Sequence, residues 1–476
     1  MKAGRILALA IMLGGCTVGP DYAPPAPLPP ADVSLGTTDA NPVVTPAPPP
    51  EQWWRLFEDA ALDRLVEQAL AHNNDLRVAA ANVRRARALL REAGAAWLPE
   101  TNVSASATRS RINAANGANT SGGATRTNDY YAVGFDASYE VDLFGGVTRS
   151  IQAARADLGA TQAALDSARI SIAAETARTY AAACGYAYRA NTARETIQLQ
   201  EKTLDLTQRL LAGGRGTRRD VDQSITLVEQ ARAQAASFDA ERRAALFALA
   251  VLTGVPPTRI DTAAASCERV PTVSQPIPIG DGQELLARRP DVHEAERRLA
   301  AATARIGVAT AALYPSIRLL GSIGFGANDV DNLTKSSSLN YSFGPLISFN
   351  FPFNNAARAR VEQSKAVSEG ALAAFDQSIL TALQETEQAL ARVQGTTDSE
   401  VALKRALASS DNAAQIAELR FQRGADNFLQ LLDAQRERAN VRAALAAASA
   451  ARAEAQISLF KALGGGWQHA PQPEPR

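Results

Sequence analysis

The segment NDLRVAAANVRRARALLREAGAAWLP at Asn74–Pro99 is followed later in the chain by a similar one, PDVHEAERRLAAATARIGVATAALYP at Pro290–Pro315. Each opens on polar residues that favour a helix start, continues with apolar residues at helical spacing and stops at a proline. Two alternating segments and a long alanine-rich stretch follow each copy. This arrangement predicts an internal duplication, in which two similar halves form one elongated body.

Each half contains two segments in which apolar and polar residues alternate, the pattern of a β-strand with two different faces. We expect these strands at about 100–112 and 129–144 in the first half, and at about 315–326 and 339–353 in the second. Loops rich in Gly, Asn, Ser and Thr separate them. Long alternating strands joined by polar loops are typical of transmembrane β-barrels. The half-exposed sheet of a soluble sandwich is the alternative.

Four strands are too few to close a barrel, and an open sheet edge is not stable in lipid. The chain must therefore complete its barrel with copies of itself. A barrel of about eight strands is filled by its own side chains, and additional strands widen it into a pore. Two copies would thus give a filled barrel, and three copies a pore.

The long stretches after the strands are predicted to be helical hairpins, because no proline interrupts 147–254 or 356–464. Their apolar residues recur at heptad spacing, which is typical of coiled-coil packing. The first run, Val147–Ala212, would be about 100 Å long at 1.5 Å per residue, enough to cross a periplasm. Glycines interrupt each run once and predict tips at 213–216 and 424–427, since glycine readily adopts the left-handed turn that ends a helix.

These signals predict the order of segments along the mature chain. The first structural repeat occupies 51–255, and a proline-rich equatorial linker at 256–289 joins it to the second repeat at 290–465. A short tail, 466–476, follows.

Residues 1–15 are predicted to be a lipoprotein signal peptide. Basic residues precede a short apolar stretch that ends in Leu-Gly-Gly directly before Cys16, and this resembles a bacterial lipobox. We expect Cys16 to carry diacylglycerol and an N-acyl chain and to begin a proline-rich tether at 16–50. Thr17, in place of Asp, resembles the signal for the outer membrane. An ordinary secretory signal cut near small residues is the alternative.

Two further cysteines, Cys184 and Cys267, would lie in an oxidising compartment, where a disulfide is possible. Cys184 follows three alanines in a predicted helix, which favours a small buried thiol.

Composition argues against several classes of function. The formal net charge is +0, so the chain lacks the basic character of a nucleic-acid-binding protein. The histidines, His72, His293 and His469, lack the spacing of metal ligands, and no nucleophile motif is present. The sequence therefore predicts neither an enzyme nor a protein with a metal or other cofactor.

Several stretches resemble the lipoprotein (NodT-type) branch of the TolC/OprM outer membrane factors, over nearly the whole mature chain. They are Cys16–Tyr22 (CTVGPDY), Trp53–Phe57 (WWxxF), Arg288–Val292 (RRPDV), Ala301–Val308 (AATARIGV) and Gly424–Arg436 (GxDNxLxxLDAQR). The RRPDV and LDAQR stretches are the most specific of these signals.

The resemblance implies an α+β membrane protein that forms a homotrimer. Each chain would give four strands to a twelve-stranded β-barrel in the outer membrane, continuous with a periplasmic α-helical barrel of coiled-coil hairpins. Such a protein is the exit duct of a tripartite efflux pump for drugs or other small toxic compounds. A periplasmic adaptor protein and an inner membrane RND-type transporter would be its partners.

Three other functions remain open from the sequence. The duct could belong to type I protein secretion or to metal-ion efflux. A protein of a different class, a lipid-anchored structural coiled coil that conducts nothing, would also explain the helices but not the alternating strands.

The family resemblance places a periplasmic gate after the second tip, at Leu429 and Asp433, with Arg420 on the facing helix as its tether. Leu429 and Asp433 are four residues apart and share one face of a helix. Around a three-fold axis they would form an apolar ring and a carboxylate ring, which can close or select in pores. The spacing alone equally allows Leu429 to be a coiled-coil core residue and Asp433 a surface partner of Arg436 or Glu437.

The two tips are also the predicted docking sites for the adaptor. The residues proposed for this role are Gly213, Gly214, Gly216, Gly424 and Asp426. For Arg218, Arg219 and Asp222 beside the first tip, a local ion pair along the helix is an equally good explanation.

Overall fold

The computed structural model of the chain describes residues 17–25, 35, 43–112, 126–349 and 354–465. The predicted signal peptide, Cys16 and the tail at 466–476 lie outside these residues. Within the described part, none of the helices combines the length and the apolar composition needed to cross a membrane.

The chain divides into two compact units. The sheet unit comprises Met1–Pro25, Arg84–Ala160 and Ala295–Phe375, and the hairpin unit comprises Ala26–Val83, Thr161–Glu294 and Asp376–Arg476. Because each unit takes segments from both halves of the sequence, the duplication builds both units.

The described residues form nine α-helices and six β-strands. The helices are α1 (Ala60–His72), α2 (Asn74–Ala95), α3 (Gly146–Ala212), α4 (Arg218–Leu252), α5 (Thr262–Ala265), α6 (Gly282–Arg288), α7 (Pro290–Ala311), α8 (Asn355–Gln422) and α9 (Phe428–Ala462). The strands are β1 (Val44–Thr45), β2 (Glu100–Ile112), β3 (Arg126–Val141), β4 (Ile277–Pro278), β5 (Ser316–Ala327) and β6 (Leu339–Ser348).

The sheet unit contains one antiparallel sheet with the strand order β2-β3-β5-β6. Val103 pairs with Phe135, Phe135 with Ile323, and Ile323 with Tyr341, and all four side chains are exposed. The adjacent row points to the opposite face and contains small or polar residues. They are Ser104, Gly134, Gly324 and Asn340. The sheet therefore has one exposed apolar face and one polar face.

The predicted end of the second strand was wrong. The strand expected at 129–144 is observed as β3, which ends at Val141. The carboxylate of Asp142 accepts hydrogen bonds from the amides of Val147 and Thr148, at 2.9 and 2.8 Å. Asp142 therefore caps the start of α3 and does not continue the strand.

The fourth strand is also shorter than expected. It was predicted at 339–353, but β6 ends at Ser348. Ser348 pairs with Ser316, the first residue of β5, so the neighbouring strand offers no partner beyond this point. Residues 350–353 lie outside the described part of the chain. The other two strands lie within one residue of their predicted positions.

Aromatic side chains form a core in the hairpin unit. Trp53 has no exposed surface and stacks on Phe460 with ring centroids 5.1 Å apart. Phe57 contacts both rings edge-on. Full burial of one such side chain stabilises the fold by about 1.5–3 kcal/mol. This cluster fixes the segment before α1 against the end of α9.

Cys184 in α3 forms a disulfide with Cys267, with the Cα atoms 5.2 Å apart. The expectation of a free buried thiol at Cys184 was therefore wrong. Cys267 belongs to the predicted linker at 256–289, where Asp261 caps the short helix α5 through the amides of two alanines. The linker therefore contacts α3 at this turn. The residues next to Cys184 in the sequence give no indication of this long-range contact.

In each repeat, the residue before the first long helix of the repeat, α2 or α7, contacts the end of its last helix, α4 or α9. We call this contact the repeat junction. Asn73, before α2, donates from Nδ2 to the carbonyl of Leu252 at 3.0 Å. Arg289, before α7, donates from Nη1 to the carbonyl of Ala462 at 2.9 Å. Leu252 and Ala462 are the last residues of α4 and α9. Different side chains thus make the equivalent contact in the two halves.

Candidate functional site

The turns at 213–217 and 423–427 connect the long helices and share one backbone conformation. The angle φ is 72° at Gly214 and 73° at Gly424, a left-handed conformation that favours glycine. The next amide donates back to the last helical turn, from Arg215 in the first tip and from Ala425 in the second, each at 2.8 Å. Both tips therefore end their first helix with the same type of glycine turn.

A capping box starts the second helix of each hairpin. Thr217 accepts from the amide of Asp220 at 3.2 Å, and the Asp220 carboxylate accepts from the Thr217 amide at 3.0 Å. Asn427 and Gln430 make the corresponding pair of bonds at 3.1 and 3.4 Å. These reciprocal bonds satisfy amides that a helix start leaves unpaired.

We aligned the sequences of the two tips by matching Gly214 with Gly424. Several aligned positions then carry residues of different chemistry. The pairs are Leu210 with Arg420, Gly216 with Asp426, Arg219 with Leu429 and Gln223 with Asp433. None of the three predicted gate residues is therefore repeated at the first tip.

Arg420 forms an ion pair across the second tip. Its Nε and Nη2 atoms each lie 2.9 Å from a carboxylate oxygen of Asp426. The hydrogen bond from Arg420 to Asp426 holds the pKa of Arg420 above its usual value. The sequence suggested Asp426 only as a docking residue, because the turn that brings it to Arg420 is not visible in either residue alone. Within one protomer Arg420 thus ties its helix to the tip.

Leu429 and Asp433 lie on an exposed face of α9. Leu429 is 57% exposed, and Asp433 is exposed without a hydrogen bond or ion pair to any other described residue. The buried face of this turn is formed by Leu431, Leu432 and Gln435. The interpretation of Leu429 as a coiled-coil core residue is therefore wrong for the protomer.

The family model of the outer membrane efflux protein matches residues 65–255 and 282–465. The chain belongs to the outer membrane efflux protein family. Outer membrane protein OprJ of Pseudomonas aeruginosa is 34% identical over 466 residues, which cover 97% of this chain and 95% of OprJ. The toluene efflux pump outer membrane protein TtgI of Pseudomonas putida is 34% identical over 477 residues, 96% of this chain and 97% of TtgI. The solved structure of the outer-membrane channel OprN superposes with a TM-score of 0.88 at 34% identity, covering 95% of this chain and all of that one.

This efflux protein is therefore an outer membrane component of an efflux system in a Gram-negative bacterium, and the family resemblance found in its sequence is confirmed. Its mostly helical fold with some β-sheet is that of outer membrane efflux channels. The family and its relatives are transport proteins.

Buried polar contacts hold the helices of the efflux protein together above the tips. Gln435 in α9 donates from Nε2 to the Thr203 hydroxyl in α3 at 2.9 Å. Thr207 in the same helix donates to Ser224 in α4 at 3.4 Å. The amide of Gln435 is costly to separate from Thr203, because it would lose this partner away from water. These bonds fix α3 between α4 and α9.

Near the first tip, Arg218 and Asp222 form a local ion pair with Nε 3.1 Å from Oδ1. Both side chains are exposed, and such pairs contribute little to stability. No neighbouring atom approaches within 4 Å of where a Cβ would lie on Gly214 or Gly424. The tips thus present open backbone, and adaptor docking there stays a prediction.

Among the described residues, no group of three or more His, Cys, Asp or Glu side chains is arranged to hold a metal ion. His293 is exposed and its Nε2 lies 2.6 Å from the carbonyl of Ala287. His469 lies outside the described part of the chain.

Proposed function

We propose that this protein is the exit duct of a tripartite pump and that three copies form one duct. Their strands would build a twelve-stranded β-barrel in the outer membrane, continuous with a periplasmic α-helical barrel. The observation that carries the proposal is the sheet, whose apolar row is exposed in the protomer and whose edge strands, β2 and β6, each have only one neighbour among the described strands. An open edge cannot remain in lipid, so copies of the chain must pair edge to edge.

Lipidation of Cys16 would anchor this duct, with diacylglycerol and an N-acyl chain on the cysteine. Thr17, the next residue, packs so closely on Gly145 that a Cβ there would lie 2.6 Å from Thr17 Cγ2. Arg149 holds the following residue by donating from Nε to the carbonyl of Val18 at 3.2 Å. Gly145 lies between β3 and α3. The contacts therefore support an anchor beside the end of a strand.

The gate of the duct would be formed by Leu429 and Asp433 on the three copies. Both side chains are exposed in the protomer, as residues facing a channel axis must be. The ion pair between Arg420 and Asp426 would tether the turn that positions α9. Apolar constrictions close pores by excluding water, and charged rings select ions.

Drugs or other small toxic organic compounds are the proposed cargo, since the similar protein TtgI is named for toluene efflux. A periplasmic adaptor would dock at the tips around Gly213, Gly214, Gly216, Gly424 and Asp426. An inner membrane RND-type transporter would supply cargo and energy.

Three measurements test this function. Light scattering of the detergent-purified protein should give the mass of three chains, and insertion into planar bilayers should give discrete conductance steps. A strain that lacks the protein should become sensitive to antibiotics, dyes or solvents and recover when the gene is restored. A stable monomer in detergent-free buffer would contradict the proposal.

A further inference from the structure

A half-open cleft lies within the hairpin unit between α3, α4 and α9, and the space in and directly outside it is about 850 Å³. Two guanidinium groups line it, those of Arg189 and Arg436. Phe238 and Leu227 supply apolar surface, and the remaining polar lining consists of side-chain amides and hydroxyls. No acidic residue is found among the described residues that line the cleft. It therefore carries an uncompensated positive charge.

The two arginines are free to bind an anion. Arg189 lies over Phe238, with its Cζ 4.2 Å from the ring centroid, a cation–π contact that helps to hold the guanidinium in place. Neither Arg189 nor Arg436 forms an ion pair with a residue in the described part of the chain. A planar guanidinium presents paired donors that match carboxylate-like groups. The two guanidinium groups thus present hydrogen-bond donors that an anion in the cleft can accept from.

A buried amide adds a second requirement. Gln200 is 4% exposed and lines the cleft, and its Oε1 accepts no hydrogen bond from the described residues. Buried polar atoms are nearly always paired. A ligand that carries a hydroxyl or another donor would satisfy this oxygen.

The cleft opens on the same face of α9 as the proposed gate. Leu429, Asp433, Arg436 and Asn440 follow one another at intervals of four, three and four residues, which places them along one helix face. All four are exposed, and the last two line the cleft. If the first two face the channel axis, the cleft opens into the duct.

We propose that this cleft binds organic anions that combine an aromatic ring, a sulfonate- or carboxylate-like group and a hydrogen-bond donor. It would be a cargo site in the duct wall, which defines a class of substrate. Its position in the wall rests on the gate proposed above, whereas binding of the anion does not.

Equilibrium dialysis of the full-length protein in detergent tests binding, with hydroxynaphthalenesulfonate and its neutral sulfonamide as a matched pair. The sulfonate should bind about tenfold more tightly, because hydrogen bonds to a charged group are stronger. Arg436→Gln should abolish most of this preference. Arg405→Gln is the matched control, since Arg405 is exposed on α8 and does not line the cleft, and it should retain the preference.

The role of Gln200 is tested with naphthalenesulfonate that lacks the hydroxyl. Wild-type protein should prefer the hydroxylated ligand, and Gln200→Leu should remove this preference while keeping that for sulfonate over sulfonamide. Equal affinities for sulfonate and sulfonamide, or equal losses in the Arg436 and Arg405 variants, would overturn the anion site.

Measurements of channel conductance separate the proposal of an anion site from the proposal of a duct. Hydroxynaphthalenesulfonate should reduce the current through wild-type channels in planar bilayers and have little effect on Arg436→Gln channels. Binding in dialysis without any block of the current would show that the cleft does not open into the conducting path, and would leave the anion site itself standing. A protein that forms no channels but retains binding would instead overturn the proposed duct.

Discussion

The first and second hairpin tips have the same backbone but different side chains. Both use a glycine at positive φ and a capping box. Only the second tip carries an ion pair across its turn, between Arg420 and Asp426, and only the second presents Leu429 followed by Asp433. Duplication thus preserved the turn that a hairpin needs, while the exposed positions, which the fold does not constrain, acquired separate chemistry.

The difference continues away from the tips. Cys184 lies 30 residues before Gly214, and Gln394 lies 30 residues before Gly424. The first hairpin is therefore fixed to the linker by a disulfide, whereas Gln394 donates to Asp398 within its own helix, at 2.9 Å. The second hairpin contacts the linker without a covalent bond, since Arg452 and Gln456 in α9 donate to the carbonyl of Val273 at 3.0 and 2.8 Å.

Removing the disulfide should have the largest effect on stability. Cys184 and Cys267 are separated by 83 residues, and closing a loop of this length stabilises a protein by about 4.5 kcal/mol in the chain-entropy model. We expect Cys184→Ser to lower the free energy of unfolding of the detergent-solubilised protein by this amount. Denaturant titration followed by circular dichroism measures it.

The control for this prediction uses the partner cysteine. Cys267→Ser and the double variant should lose no more than Cys184→Ser, since all three remove one bond. A reductant should destabilise the wild type and leave the double variant unchanged. Additive losses in the double variant would mean that packing around Cys184, and not the disulfide, supplies the stability.

Substitution at the repeat junction should lower the stability more in the second half, at Arg289, than in the first half, at Asn73. Arg289 is buried and contacts Asp291 and Glu385 as well as the end of α9. Arg289→Ala should lower the free energy of unfolding by about 2 kcal/mol. This is less than the loss on breaking a fully buried ion pair, because both carboxylates are half-exposed. Asn73 also caps α2, since its Oδ1 accepts from the amides of Asp75 and Leu76 at 2.8 and 3.2 Å. Asn73→Ala should therefore lower the stability by about 1 kcal/mol, the typical value of a helix cap. Thermal unfolding of the two variants in the same detergent compares them.

The dependence of stability on pH tests the contact between Arg289 and Asp291 at the second repeat junction. Burial raises the pKa of Asp291, but the hydrogen bonds and charge of Arg289 more than offset this and leave that pKa below its usual value. A depressed carboxylate pKa in the folded state gives stability that is present above the unfolded pKa and is lost as the pH falls through the folded pKa. Stability should therefore fall below the usual Asp pKa of about 3.9, and less steeply in Arg289→Ala. An unchanged slope would remove Asp291 as the responsible group.

Gate variants should separate the two tips functionally. Leu429→Ala and Asp433→Ala should each raise the single-channel conductance above that of the wild type, because each weakens the proposed constriction. Arg219→Ala and Gln223→Ala, at the equivalent positions of the first tip, should leave the conductance unchanged. Equal effects at both tips, or none at Leu429 and Asp433, would contradict a gate formed by the second hairpin alone.

The sequence predicted those features of the fold that depend on residues close together in the chain. Alternation located the strands, and glycines located the tips, because both features depend on neighbouring residues. The sequence failed at the end of β3, where Asp142 turns from the strand to cap a helix, and at Cys184, whose partner is distant in the chain. The partner of Arg420 and the charge of the cleft around Arg189 also depend on contacts between segments. Such contacts appear only when the helices are packed.

A matched pair of glycine variants, for which we expect no difference in stability, tests whether the two tips share one backbone conformation. Gly214→Ala and Gly424→Ala both place a Cβ at positive φ, which costs about 1–2 kcal/mol. No neighbouring atom crowds either site, so the backbone strain is the only cost and should be the same in both. Unfolding measurements should therefore give equal losses, even though the surrounding side chains differ. A larger loss at Gly424 would show that the ion pair between Arg420 and Asp426 depends on this turn, and the two tips would then differ in energy as well as in chemistry.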